Sequence, residues 1–131
     1  MLRKKTLKDL QRLAAKLRSK KGCPWDRKQT IASMLEYIDE EVSEVRVAIE
    51  NGDHKNLREE LGDVLFQIVM IAQIAKEMEY FNMDDVLKDI YKKIRRRHTW
   101  VFGKDRHKVK TPEDALKLWK KNKNKQKDNV N

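Results

Sequence analysis

Between Leu61 and Ala75 the chain runs Leu-Gly-Asp-Val-Leu-Phe-Gln-Ile-Val-Met-Ile-Ala-Gln-Ile-Ala, nearly all apolar and interrupted by one charged residue, Asp63. A helix that is apolar around most of its circumference must be enclosed by other helices, so this run marks the central member of a bundle. It is shorter than the roughly 20 apolar residues that a membrane crossing needs. Only four Gly and two Pro occur in 131 residues, with 39% hydrophobic and 40% charged. That balance suits a soluble all-α domain and excludes collagen-like, β-sandwich and membrane-spanning chains. At this length folding buries roughly two-thirds of the unfolded chain's surface, so disulfides are not required. Cys23 is the only cysteine, which also excludes a Cys-cluster zinc site. The opening Met1-Leu-Arg-Lys-Lys lacks a signal-peptide core, and the expected compartment is the cytosol.

Helical spacing predicts four main helices and a short fifth. Leu7, Leu10, Leu13, Ala14 and Leu17 place the first over about residues 3–20, stopped by Lys21-Gly22-Cys23-Pro24-Trp25-Asp26. Ile31, Leu35, Ile38, Val42, Val45 and Ile49 alternate steps of four and three. They place the second over about residues 29–50, with Asn51-Gly52-Asp53 as its stop. The third covers about residues 55–79, and the fourth runs from near Asp84 through Val86, Leu87, Ile90 and Ile94 to about Arg97. Residues 99–110 read as irregular. Thr111-Pro112-Glu113-Asp114 then starts a short last helix, with Thr as N-cap and Pro at the first helical position. The expected organisation is one domain over residues 1–121 and a basic, disordered tail over residues 122–131.

The net charge of +10 is unevenly spread. Residues 1–28 hold eleven Lys/Arg against two acids, residues 36–85 four against fourteen, and residues 86–131 sixteen against five. An acidic centre argues against nucleic acid as the partner. Basic flanks beside it suit a site that holds cations with carboxylates and an anionic substrate with Lys and Arg. Salt-bridged helix faces produce the same blocks, so charge alone leaves both readings open.

Angular position adds detail. Counting about 100° per residue from Ile38 puts Glu41 about 60° and Glu44 about 120° to one side of the second helix's stripe, with Glu40 at the back. From Leu61, the residues Glu60, Asp63 and Gln67 share one flank of the third helix. If the two helices pack antiparallel, the pairs Glu41/Glu44 and Glu60/Asp63 can converge on one pocket. Four carboxylates at close range repel unless cations join them, and oxygen-only ligands suit Mg²⁺ or Mn²⁺. Ordinary surface salt bridges are the alternative reading, but an ionised Asp63 in so apolar a run needs a partner. Gly62, costing about 1 kcal/mol mid-helix, predicts close approach of a neighbour.

Glu40-Glu41-Val42-Ser43-Glu44, followed after fifteen residues by Glu60-Leu61-Gly62-Asp63, resembles the E-E-x-x-E…E-x-x-D motif of MazG nucleoside triphosphate pyrophosphohydrolases. Further blocks are similar and in family order: Cys23-Pro24-Trp25-Asp26-x-x-Gln29-Thr30, Arg58 to Gln67, Arg96-Arg97-His98-x-x-Val101-Phe102-Gly103, and Trp119 with Lys123. The likeness covers about residues 7–123. It implies an all-α fold and Mg²⁺-dependent hydrolysis of an NTP or dNTP to the monophosphate and pyrophosphate, by attack of a metal-activated water on the α-phosphorus. By the same resemblance Glu41, Glu44, Glu60 and Asp63 are metal ligands, and Lys93 and Arg97, one turn apart, contact phosphate. Trp119, Lys123 and Arg96 complete the nucleotide site, and Trp25 and Gln29 are candidates for base or sugar contacts. A homodimer or homotetramer is implied as well. Where the family commonly reads Pro-His after Arg-His, this chain has Thr99-Trp100.

Other chemistries find no support. There is no phosphate-binding G-x-x-x-x-G-K-[ST] loop, and His54, His98 and His107 lack zinc spacing. Cys23 has no evident His partner and is a poor candidate nucleophile. The competing class is a non-enzymatic helical protein that binds nucleic acid or a protein partner through Arg95-Arg96-Arg97 and the six lysines from Lys117 to Lys127.

Overall fold

The computed structural model describes residues 3–128, and these are helical and strand-free. The helices are α1 (Leu7–Leu17), α2 (Pro24–Lys28), α3 (Met34–Glu50), α4 (His54–Glu77), α5 (Met83–Arg97), α6 (Thr99–Phe102) and α7 (Pro112–Asp128). They fall into two compact units, one ending at Met83 and the other beginning at Asp84.

In the N-terminal unit α4 packs against both α1 and α3, as its apolar circumference requires. It supplies most of the core: Val69, Met70, Ala72, Ile74 and Ala75 are buried, joined by Ala14 of α1 and Met34 and Ala48 of α3. The start of α1 lies four residues later than periodicity predicted, because a capping box sets it. The Asp9 N–H donates to Thr6 Oγ1 (3.3 Å), and the Thr6 N–H donates back to Asp9 Oδ2 (2.9 Å). The Thr6 N–H and the Thr6 hydroxyl, which also donates to Asp9 Oδ2 (3.0 Å), hold the Asp9 carboxyl below its ordinary pKa. After α1 the backbone folds over its own last carbonyls at Gly22. A Cβ there would sit 2.2 Å from Lys16 O and 2.3 Å from Leu17 O, so glycine is required sterically.

The segment read as a break contains α2, which begins at Pro24, where proline's missing N–H costs nothing. The second long helix begins at Met34 rather than near Gln29. Thr30 and Ser33 each accept the other's backbone N–H through the side-chain hydroxyl (2.8 and 3.0 Å), an alternative to helical bonding.

The α3–α4 connection is three residues long and closes as a Schellman motif. The Gly52 N–H donates to Ile49 O, the Asp53 N–H donates to Ala48 O, and Gly52 takes the left-handed φ of +64° that this cap needs. Asp53 then serves as N-cap of α4, accepting the Asn56 N–H at 3.0 Å. So short a connection between packed helices forces them antiparallel. The end of α4 repeats the motif with Glu79 at φ +61°, an uncommon conformation for a residue with a Cβ.

Two expectations are corrected. A Cβ at Gly62 would meet nothing within 4 Å, so no described neighbour approaches it closely. Gly62 lies on an outward face with Leu61, Leu65 and Ile68, all exposed. The last helix is not short, and residues 122–128 are not a disordered tail. α7 starts as predicted, with the Asp114 N–H on Thr111 Oγ1 (3.1 Å), but it continues to Asp128. Side-chain bonds to the α5–α6 junction hold it: Asn122 Nδ2 donates to Arg97 O (2.9 Å) and Thr99 Oγ1 (3.0 Å), and Gln126 Nε2 donates to Arg96 O (3.0 Å). Residues 129–131 lie outside the described residues.

Candidate active site

The antiparallel hairpin brings the two i, i+3 pairs together. Glu41 and Glu44 of α3 and Glu60 and Asp63 of α4 each offer a carboxylate oxygen, and these oxygens all lie within 4.8 Å of one another. Glu40, placed by angle at the back of α3, is exposed and not among them. Glu60 is only 9% exposed, Glu41 and Asp63 are half-buried, and Glu44 is exposed. Glu41 Oε2 and Glu60 Oε2 are buried without any hydrogen-bond donor.

Such crowding distorts the acids' protonation. A hydrogen bond with Glu44, then burial, then the charges of Glu44, Asp63 and Glu41 push the Glu60 carboxyl up to about 7. Burial is the first cause for Glu41, whose carboxyl is also raised by a hydrogen bond with Glu44 and by the charges of Glu44, Asp63 and Glu40. A group that keeps its proton this tenaciously holds the place of a cation. The donor set, oxygen-only and with two orphaned buried acceptors, fits a hard divalent ion.

The C-terminal unit carries the opposite arrangement. The Arg97 guanidinium lies 5.5 Å from the Trp119 ring centroid, and Lys123 Nζ lies 5.2 Å from the same ring. Two cations on one indole gain attraction from its π face but still repel each other. Arg97 Nε is buried without an acceptor, an unmet demand for an anionic oxygen. Lys93 and Arg96 on α5 are exposed. Of the basic and aromatic residues that the resemblance named, Arg97, Trp119 and Lys123 thus form one cluster.

Trp25 and Gln29 are placed less simply. Trp25 is 52% exposed, edge-on to Tyr37 (6.2 Å) with Lys28 Nζ 4.4 Å from its ring centroid, so its face is already occupied by a cation. Gln29 is buried, its Nε2 donating to Trp25 O (3.0 Å) and its Oε1 accepting from Ser33 Oγ (2.7 Å). That amide braces the α2–α3 connection.

Residues 29–102 match the MazG nucleotide pyrophosphohydrolase domain, more than half of the chain and across both units. The chain belongs to this family. MazG relatives agree with the match. The nucleoside triphosphate pyrophosphohydrolase/pyrophosphatase MazG of Thermotoga maritima is 46% identical over 95 residues, 72% of this chain and 37% of that protein. Bacillus subtilis YabN is 48% identical over 103 residues, 79% of this chain and 21% of that protein. This chain therefore spans well under half the length of these relatives. A crystal structure of a MazG-related protein from Thermotoga maritima superimposes with a TM-score of 0.72 at 30% identity, covering 90% of this chain and 99% of that one. The all-α MazG fold is thus confirmed.

Sequence reasoning missed Arg18, Thr99, Asp105 and Asn122. Arg18 bonds the Glu77 carboxylate through Nε (2.9 Å) and Nη2 (3.0 Å), and Nη1 donates to Gln29 O (3.0 Å), tying α1 to the end of α4. The Thr99 hydroxyl accepts from Asn122 and hydrogen-bonds the Asp105 carboxyl, which it and Lys108 hold below the ordinary range. Thr99, the departure from the usual Pro, therefore organises the segment that follows it.

Proposed function

We propose that the protein hydrolyses nucleoside or deoxynucleoside triphosphates to the monophosphate and pyrophosphate in a Mg²⁺-dependent reaction, with residues 1–121 acting as one MazG domain. The observation that carries this reading is the convergence of Glu41, Glu44, Glu60 and Asp63 with buried, unpartnered oxygens on two of them. The name of the Thermotoga maritima relative, a nucleoside triphosphate pyrophosphohydrolase/pyrophosphatase, supports it.

In this reading the four carboxylates hold the cation, with Mn²⁺ as an acceptable substitute. Bound there, a divalent ion offsets triphosphate charge and makes a coordinated water more acidic. Water oxygen bonds to the α-phosphorus as the bond from that phosphorus to the bridging oxygen breaks; the departing pyrophosphate carries the electron pair, and the water's proton passes to solvent. Lys93, Arg97 and Lys123 stabilise that growing charge, Arg97 through the Nε that lacks an acceptor. Arg96 and Trp119 contact the nucleotide, and the half-exposed Trp25 contacts base or sugar. We further propose that the protein works as a homodimer or homotetramer in the cytosol. The exposed Leu61, Leu65 and Ile68 beside Gly62 give a second copy an apolar face to cover. No described helix is long and apolar enough to cross a membrane.

The test is a panel of NTPs and dNTPs with Mg²⁺, scored for monophosphate and pyrophosphate, beside Glu60→Gln. The wild type should release pyrophosphate, and the variant, still folded by circular dichroism, should lose at least about 100-fold in turnover. Full activity in Glu60→Gln would remove the carboxylate assignment. A silent wild type that binds polynucleotide with steep salt dependence would instead favour the non-enzymatic binding class.

A further inference from the structure

A second concentration of positive charge in the C-terminal unit is not used by the proposed reaction. Lys104, Lys108, Lys121 and Lys125 line a concavity of about 340 Å³ whose floor includes the buried Asp105 and Asn122. Asp105 is the only carboxylate among the lining residues. It is already engaged by Lys108 Nζ at 3.0 Å and by the Thr99 hydroxyl. Asp105 also feels the charge of Lys104, so a single carboxylate stands against four ammonium groups in the lining. Lys121 and Lys125 are four residues apart on α7, a like-charge spacing that is unfavourable on a helix without an anion. The negative end of α7 favours Lys125, which lies in its last turn. It does not account for the two lysines contributed by the segment after α6.

The wall adds a second requirement. Gln126 Nε2 is fixed on Arg96 O at 3.0 Å, and its Oε1 is buried in the lining with no donor. A buried carbonyl oxygen in this state asks for a hydroxyl or N–H from a ligand. The lining offers lysines and no arginine, so it recognises charge rather than a planar pair of oxygens. Its small volume and rigid floor suit a compact anion better than an extended strand.

We propose that this concavity binds a small, multiply charged phosphate compound, its phosphates among Lys104, Lys121 and Lys125 and a hydroxyl on Gln126 Oε1. None of these residues belongs to the Arg97–Trp119–Lys123 cluster, so the proposal stands apart from the catalytic reading.

The experiment uses the full ¹⁵N-labelled chain in EDTA, titrated separately with inorganic pyrophosphate and with ADP. The readouts are the side-chain amides of Asn122 and Gln126 and the backbone amides of residues 104–108. Saturable shifts at these positions are expected. They should weaken at least tenfold in Lys104→Ala/Lys121→Ala/Lys125→Ala, whose altered residues are exposed, and persist in Arg97→Ala/Lys123→Ala. Tighter binding of ADP assigns the Gln126 contact to a sugar hydroxyl, and equal binding assigns recognition to phosphate alone. Unmoved Asn122 and Gln126 amides, or shifts that survive the triple substitution, would overturn the site. So would a single-stranded oligonucleotide that binds tenfold tighter than either anion and shifts the whole Lys117–Lys127 face.

Discussion

The two units concentrate opposite charges, and they do so by different architectural means. In the N-terminal unit four carboxylates meet because two long helices are joined by a three-residue cap-to-cap turn, so helical periodicity fixes the side-chain geometry. In the C-terminal unit the cations around Trp119 gather without extensive helix packing. Asn122 and Gln126 bind backbone carbonyls at the end of α5, and Thr99 links Asn122 to Asp105. A site built on paired helices inherits the rigidity of their apolar core, whereas one built on side-chain amides depends on individual polar bonds. Both leave buried polar atoms unpartnered, acceptors on Glu41 and Glu60 and a donor on Arg97. Each therefore has unmet capacity for a ligand of the opposite sign.

The sharpest way to break this contrast is Asn122→Leu. It leaves Arg97 O and Thr99 Oγ1 without their donor and should cost about 1–3 kcal/mol in the C-terminal unit. Hydrogen exchange should show lost protection in α7 and residues 99–108, while α3 and α4 keep theirs. Uniform loss across both units would mean that they unfold as one body and the contrast is only local.

A smaller effect is expected at Glu77. The hydrogen bonds from Arg18 lower its carboxyl below the ordinary 4.5, so it contributes stability above pH 4.5 that is lost as pH falls through the folded value. Its side chain is 39% exposed, which keeps the contribution to about 1 kcal/mol or less. Glu77→Gln should lower the midpoint of urea unfolding slightly at pH 7, and the deficit should shrink as pH falls below 4.5. An undiminished deficit at pH 3 would show that the Arg18 contact works through packing rather than charge.

Gly62→Ala should have a comparably small effect, in the opposite direction. A methyl there meets nothing, so the substitution should stabilise the monomeric fold by about half to one kcal/mol. Sedimentation decides what else Gly62 does. A higher melting temperature with weakened self-association would return the expectation of close approach to a second copy, and unchanged association would leave Gly62 without a packing role.

Much of the N-terminal unit was legible because its signals repeat. The steps of four and three in α3 and the apolar run of α4 fix which face turns inward, and angle put Glu41 with Glu44 and Glu60 with Asp63 on flanks that meet if the helices run antiparallel, while turning Glu40 away. The local endpoints were harder to read. Thr6/Asp9 and Thr30/Ser33 move helix starts by four or five residues through side-chain bonds that periodicity does not weigh. In α7, Ala115, Trp119, Asn122 and Gln126 repeat the same helical steps of four and three, but with polar residues in place of apolar ones. A hydrophobic template passes over them and reads a solvated tail.

The amino-acid sequence by itself determined the all-α class, the antiparallel pairing of α3 with α4 and the membership of the acidic quartet. Each follows from interactions among residues a few positions apart or from a turn too short to allow another geometry. Only the tertiary structure decided that Gln29 is a brace, that Gly62 faces outward and that residues 122–128 continue α7. Those outcomes depend on which carbonyl, hydroxyl or open space a side chain meets after folding, and partners far apart in the chain leave no periodic trace along it.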